Sequence, residues 1–444
     1  TEAGSGSDLQ AFVIQLGAAV NAAGEPCYSV QDRLTEVARA YGASSVRVSA
    51  FPTFLMVTMG MGQPATLELT TAVAGTARLD QIAELDRLLA AAQQGAVEPA
   101  AGLRRLEEIR ELRSRFGHVR GILGYSVLSV GLCLIMHPPA RDVVAASVFG
   151  ALVGLLRSVG RNQSAVQFLM PIIAAFCVSA LSALAVHHGV SDPSLRAVVA
   201  ALVVFLPGAA LTTAVLELTA GQTVSGSSRL VAGAMQLALL AFGILAGIEA
   251  VGVSSARVFA GSPELLGRWA PWFGVLVFAV GVTVANSAPA RSFPGLLVVL
   301  YAAWIGQLIG NSLFGGYVSA LVGAAVMTPV AFSISRLPSA MPPLASFLPG
   351  FWLLVPGALG LIGFTELAGT GGAATDDLVA TVVSIFAVAI GVLCGNLVLA
   401  SVLGTGRVVR GLSTSRAERN RRRRRGAQPP NGAGTSIGET SAPA

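Results

Sequence analysis

The chain contains no lysine: all 29 of its basic residues are arginine. That absence excludes a lysine Schiff base and a phosphate loop of the type that needs its lysine. Charge of either sign is scarce. Only 12% of the 444 residues are charged, against 53% hydrophobic, and a soluble protein carries about twice that charged share. The four cysteines, Cys27, Cys133, Cys177 and Cys394, stand far apart, so neither a disulfide framework nor a metal site is indicated. The four histidines form no metal-binding arrangement, and no nucleophile elbow or zinc motif is present. Neither a metal nor a cofactor is expected. The polar opening TEAGSGSDLQ shows no leader pattern, so insertion through internal spans is expected.

What the chain does have is long apolar runs, and they divide it. Residues 1–118 mix polar and apolar positions and read as a small cytoplasmic α/β domain. Leu9 to Ala23 and Val30 to Tyr41 have helical apolar spacing. Val46, Val48 and Ala50 alternate with Arg47 and Ser49, the period of a strand, and Phe54–Met59 and Thr66–Thr70 continue as strands. Two further helices carry Leu79, Ile82, Leu85 and Leu89, then Leu103, Leu106, Ile109 and Phe116. About 20 apolar residues cross a bilayer as a helix. Ten such spans are expected near 119–136, 142–159, 165–186, 197–217, 230–252, 270–286, 292–310, 313–334, 345–366 and 379–403. Residues 406–444 are arginine-rich and then Pro/Gly/Ser-rich, a composition that predicts disorder.

The spans fall into two similar sets. PARDVV at 139–144 returns as PARSFP at 289–294. Pro207-Gly208 returns as Pro356-Gly357, and Glu217 returns as Glu366. GILAG at 243–247 returns as GVLCG at 391–395. The offsets drift slowly from 150 through 149 to 148 residues, as a duplication with small deletions would leave them. Five spans per copy is an odd number. The fold expected is therefore a polytopic α-helical membrane protein whose two five-helix repeats, 119–255 and 265–405, have inverted topology. Six arginines cluster at 104–120 around the start of the first span and nine follow the last, which puts both termini in the cytoplasm of a cell-membrane protein. Beside the membrane, the tail RAERNRRRRR at 416–425 reads as an anchor on anionic lipid rather than a nucleic-acid site.

Proline inside a span removes a backbone hydrogen bond, and such breaks are tolerated only against protein or a water-filled cavity. Pro207, Gly208, Pro356 and Gly357 are thus candidates for broken helices that line a substrate site. Glu217 and Glu366 are carboxylates in apolar surroundings and are candidates for carrying a coupling proton. Gln307 and Asn311 stand in an apolar stretch and are candidate substrate contacts. Arg161 could hold a substrate carboxylate, and Arg229 could gate the inner end. Arg157 reads as a positive-inside anchor, and the two GxxxG patterns read as packing.

The stretches RLTEVARAYG…VRVSAFPTFLMVTMG and LPGAALTTAVLELTAGQTVSGSSRL resemble the first module of the threonine/serine exporter family. LVPGALGLIGFTELAG resembles its second module, fused here in one chain. The resemblance covers residues 10–405. It implies proton-driven export of small hydroxy amino acids, without enzymatic activity and with oligomeric state left open. Related two-protein systems imply a dicarboxylate (succinate) exporter as the alternative. A membrane-bound hydrolase using the amino-terminal domain is the alternative of another class.

Overall fold

The computed structural model describes residues 2–43, 45–60, 66–71, 77–160, 164–189, 195–253, 266–337, 340–354 and 375–403. The amino-terminal unit holds α1 (Glu2–Ala22), α2 (Cys27–Ala40), β1 (Ser45–Ala50), β2 (Phe54–Gly60), β3 (Thr66–Thr71), α3 (Leu79–Gln93) and α4 (Pro99–Glu111). Leu9, Phe12, Val13, Leu16 and Val20 are buried along α1, the three-and-four spacing that makes one apolar face. Gly24, at φ +93°, turns the chain after α1 in a conformation that glycine adopts without strain. α2 follows Pro26 and buries Cys27, Val30, Leu34, Val37 and Ala38. The strands form an antiparallel meander in which Val48 lies opposite Val57. Phe12, Leu16, Leu34, Leu55, Leu89 and Leu106 share one core.

The helical body contains α5 (Gly117–Ile135), α6 (Ala140–Val159), α7 (Ser164–His187), α8 (Leu195–Leu202), α9 (Gly208–Thr219) and α10 (Thr223–Val251). It continues with α11 (Ala270–Ala285), α12 (Phe293–Phe314), α13 (Gly316–Ile334), α14 (Pro343–Leu354) and α15 (Thr375–Leu403). The described residues of the expected spans are largely helical, with a break inside 197–217. Among the described residues six helices are long and apolar enough to cross a membrane, or seven if α8 and α9 form one bent span. The expectation of ten spans is not confirmed: among the described residues the helix at 270–285 is apolar but short. Sixteen residues of α11 rise about 24 Å, against a hydrocarbon core about 30 Å thick. The second part of the expected 345–366 span lies outside the described residues. The protein is a multi-pass membrane protein on these helices.

Glycine sets the closest helix crossings. A Cβ added to Gly131 of α5 would lie 2.2 Å from the backbone nitrogen of Phe278 in α11, and one on Gly281 would lie 2.3 Å from that of Leu128. Gly243 and Gly247 bring α10 onto α7, and Gly391 and Gly395 bring α15 onto α13. Such small residues allow helices to approach where lipid supplies no hydrophobic drive for association. The packing partners recur along the chain: α5 with α6 and α11 with α12, α6 with α8 and α12 with α14, α7 with α10 and α13 with α15. Among the described residues, the non-glycine residues at positive φ are His137 at +52° and Ser287 at +55°. Each turns the chain after α5 or α11 toward Pro139 or Pro289.

The amino-terminal unit is seated on this body. Leu79 and Ile82 of α3 belong to the core of the helices, and α3 packs on α14. Ser114 and Ser287 share a hydrogen bond between hydroxyls 2.9 Å apart. Trp269, Trp272, Phe273 and Tyr301 line an exposed aromatic surface at the start of α11, the residue types that settle at membrane–water interfaces.

Candidate functional site

α8 ends at Leu202, tightens into a 3-10 turn over Val203–Phe205, and α9 restarts at Gly208 at 58° to it. Pro207 has no N–H to continue the ladder, and Leu206 is extended at φ −69°, ψ 129°. The freed backbone groups nevertheless find partners. Leu206 N–H donates to Val203 at 3.0 Å and Leu211 N–H donates to Pro207 at 2.8 Å. The carbonyl of Phe205 accepts from Gln236 Nε2 at 2.7 Å. Gly233, one turn earlier on α10, lies against Leu211 and Pro207. Sequence reading had no signal for Gln236 beyond an amide inside an apolar run.

Arg157, near the end of α6, reaches the same break. Its guanidinium carbon lies 5.4 Å from the ring centre of Tyr125 and 5.4 Å from that of Phe205. This is the geometry of a cation on aromatic faces. Among the described residues no acid forms an ion pair with it. Arg157 therefore stands at the break instead of merely ending a span.

The other end of α9 carries Glu217, with 0% of its surface exposed. Arg229 Nε lies 3.1 Å from its Oε2 and 3.2 Å from its Oε1. The backbone N–H of Cys27 donates to Oε1 at 2.9 Å. Cys27 is the first residue of α2, so the carboxylate occupies the positive end of that helix dipole. Gly221, at φ +80°, folds α10 back along α9, which is how residues twelve apart in sequence become an ion pair. Gln222 Nε2 donates to Gln31 Oε1 at 3.4 Å, a second link between α2 and the membrane helices. Burial, followed by the charge of Glu217, pushes the Cys27 thiol up from its ordinary value. Burial also pushes Tyr28 up to about 12, with Glu217, Glu25 and Asp32 adding to it. Two residues assigned separate tasks from the sequence, Glu217 and Arg229, are thus one enclosed unit that joins the α/β layer to the broken helix.

In the second half, Gln307 lies on α12. Its Oε1 is buried and takes no hydrogen bond among the described residues, and the same holds for Trp304 Nε1 one turn earlier, Thr212 Oγ1 on α9 and Asn396 Oδ1 on α15. A Cβ on Gly323 would meet Leu354 at 2.6 Å and Gln307 at 3.3 Å, so these two side chains flank that glycine. Asn311 is exposed on the last turn of α12, where its carbonyl accepts from Gly315 N–H. Arg161, Pro356, Gly357 and Glu366 lie outside the described residues. Asp142, noticed in the sequence only as part of a repeated motif, is fully buried in the first turn of α6.

A family model described as "putative threonine/serine exporter" matches residues 11–251, more than half of the chain. No curated protein and no solved structure matches it.

Proposed function

The chain belongs to the threonine/serine exporter family, a family of membrane transporters, and from that premise we propose that it exports small hydroxy amino acids by alternating access. The observation that carries this reading is the 58° break at Pro207-Gly208. Broken helices are the elements on which secondary transporters build substrate sites near the middle of the membrane. Pro207 and Gly208 supply the first break, and Pro356 and Gly357 are their counterparts in sequence. Recurring helix pairings and the paired left-handed turns at His137 and Ser287 support two copies of one unit. Five helices in each copy, an odd number, would make the copies inverted, with both termini and the α/β unit in the cytoplasm and the arginine tail against anionic lipid.

Glu217 is the coupling carboxylate in this scheme, with Glu366 as its counterpart. Ionised, Glu217 holds Arg229 and the amino end of α2 together, which ties the cytoplasmic layer to α9. A proton on Glu217 removes the charge that binds both partners, so α9 is released as the proton is taken up. Export would then be driven by the proton gradient. Gln307, Asn311, Arg161 and Arg229 are the polar groups along the path.

The test is efflux from proteoliposomes holding the purified full chain, loaded with labelled threonine, serine or succinate under an imposed pH gradient. Threonine and serine leave fastest, and Glu217→Gln leaves downhill exchange measurable while efflux no longer responds to the gradient. Gradient-driven flux that persists in Glu217→Gln and Glu366→Gln together would remove the coupling role. Release of succinate alone would replace amino acids by dicarboxylates as cargo.

A further inference from the structure

The close contacts between α5 and α11 run in opposite directions along the two helices. A Cβ on Gly124 would meet Ala285, one on Gly281 would meet Leu128, and one on Gly131 would meet Phe278. The start of α5 therefore lies at the end of α11, which is where Ser114 and Ser287 share their hydrogen bond. The far end of α9 comes to the same α/β unit, through Glu217 and the Cys27 N–H. So does α14, on which α3 packs. One end of the helical body thus gathers the α5–α11 pair, the helix that leaves the break at Pro207-Gly208, and the helix whose sequence runs on to Pro356-Gly357. α9 and α14 also pack on each other, and the α/β unit touches both.

The two attachments differ in kind. On α9 the unit holds by one sealed carboxylate, which meets Arg229 at 3.1 Å and the amino end of α2 at 2.9 Å. Gln31 and Gln222 are linked beside it at 3.4 Å. A single event at Glu217 undoes that tie. On the other side Leu79 and Ile82, 1% and 4% exposed, belong to the core of the helices, and Ser114 is bonded to Ser287. Those ties carry no charge, and α11 in turn meets α5 at backbone distance. We propose that the α/β unit is the inner gate of the transporter. It stays with α11 and α14 while the end of α9 parts from it, and the gap between α9 and α14 admits the substrate.

This inference rests on the transport reading and adds a moving part to it. Alternating access requires α9 and α14 to separate where they meet. A unit attached to both keeps them together, so one attachment has to part in each cycle. Held at both, the α/β unit closes this end of the path. Released at Glu217 alone, it remains docked on α14 and ready to close again.

The experiment cross-links each attachment in the full chain, with Cys177 and Cys394 changed to Ser. It measures efflux from proteoliposomes of labelled threonine, serine or succinate, whichever the wild type releases. Gln31→Cys with Gln222→Cys is joined by a short bifunctional methanethiosulfonate, and Ser114→Cys with Ser287→Cys is oxidised to a disulfide. Mass spectrometry of the linked peptides reports each bond. Linking the first pair lowers efflux by about tenfold or more, and reductant restores it, a recovery that a misfolded protein does not show. The disulfide of the second pair leaves efflux unchanged. Full efflux with the first pair linked, or efflux stopped by the second, overturns the gate alone. A wild type that releases none of the three cargoes overturns the transport reading and the gate with it.

Discussion

In the α/β unit Arg33 reaches Glu25 at 3.2 Å and Asp86 at 2.7 Å while its side chain stays 26% open to solvent. In the helical body Glu217 meets Arg229 at a similar distance with the carboxylate sealed. The cores differ as well. Large side chains such as Phe12, Leu34, Leu55 and Leu89 fill the α/β core, whereas glycine brings helix backbones together in the body. The contrast follows from the solvent. Water rewards apolar burial and screens ion pairs at the rim, which then contribute little. Lipid is as apolar as leucine, so helices associate through close packing and satisfied polar groups. A sealed pair there has to be complete, because one partner left alone is an uncompensated buried charge.

The largest effect should come from breaking that completeness. Arg229→Gln leaves Glu217 facing only the Cys27 N–H, and the expected loss is about 3–5 kcal/mol. The double change Glu217→Gln with Arg229→Gln removes both charges and should recover most of the loss. Thermal unfolding of the detergent-purified variants distinguishes the two. A double variant as unstable as Arg229→Gln would mean that the ion pair itself is not what holds the junction.

The next effect contrasts two glycines of the same helix. Gly131→Ala puts a methyl 2.2 Å from the Phe278 backbone, where no rotamer change relieves it, and overpacking of this kind costs about 1–3 kcal/mol. Gly121→Ala meets nothing within 4 Å and should stabilise α5 slightly, by about 0.5–1 kcal/mol. Equal melting temperatures for the two variants would refute the view that α5 and α11 are joined through glycine contacts.

The two regions were also unequally legible in sequence. The strands and helices of the α/β unit follow from period-two and period-3.6 patterns, because each buries one face in water. The break at Pro207-Gly208 was legible for a chemical reason, since proline cannot donate the missing hydrogen bond. The exact length of each helix was less legible, because an apolar run does not set where its helix ends, as the 16-residue α11 shows. The pairing of Glu217 with Arg229 and Cys27 was not legible. It depends on a left-handed turn at Gly221 and on α2 arriving from 190 residues away. Gln236 escaped notice, and Arg157 was read only as an anchor, because their contacts come from packing of α10 and α6 against the break, a tertiary fact with no local pattern.

The smallest effect at neutral pH, and the most selective, uses the missing lysine. Without ammonium groups, the side chains that titrate between pH 10 and 12 are the five tyrosines and any thiol shifted upward. Tyr28, beside the sealed carboxylate, has its folded value raised from 10.0 to about 12. A raised folded value means that the native state holds the proton more tightly than the unfolded chain. The stabilisation is therefore complete below pH 10 and is lost as pH rises toward 12. Tyr28→Phe should leave the melting temperature at pH 7 nearly unchanged and should flatten the decline between pH 10 and 12. The decline belongs to the α/β side of the junction, so Glu217→Gln, which removes one of its causes, should make it shallower without abolishing it. Parallel alkaline profiles for the wild type and Tyr28→Phe would assign the decline to other tyrosines or to Cys27, whose thiol is raised by burial and then by the same carboxylate.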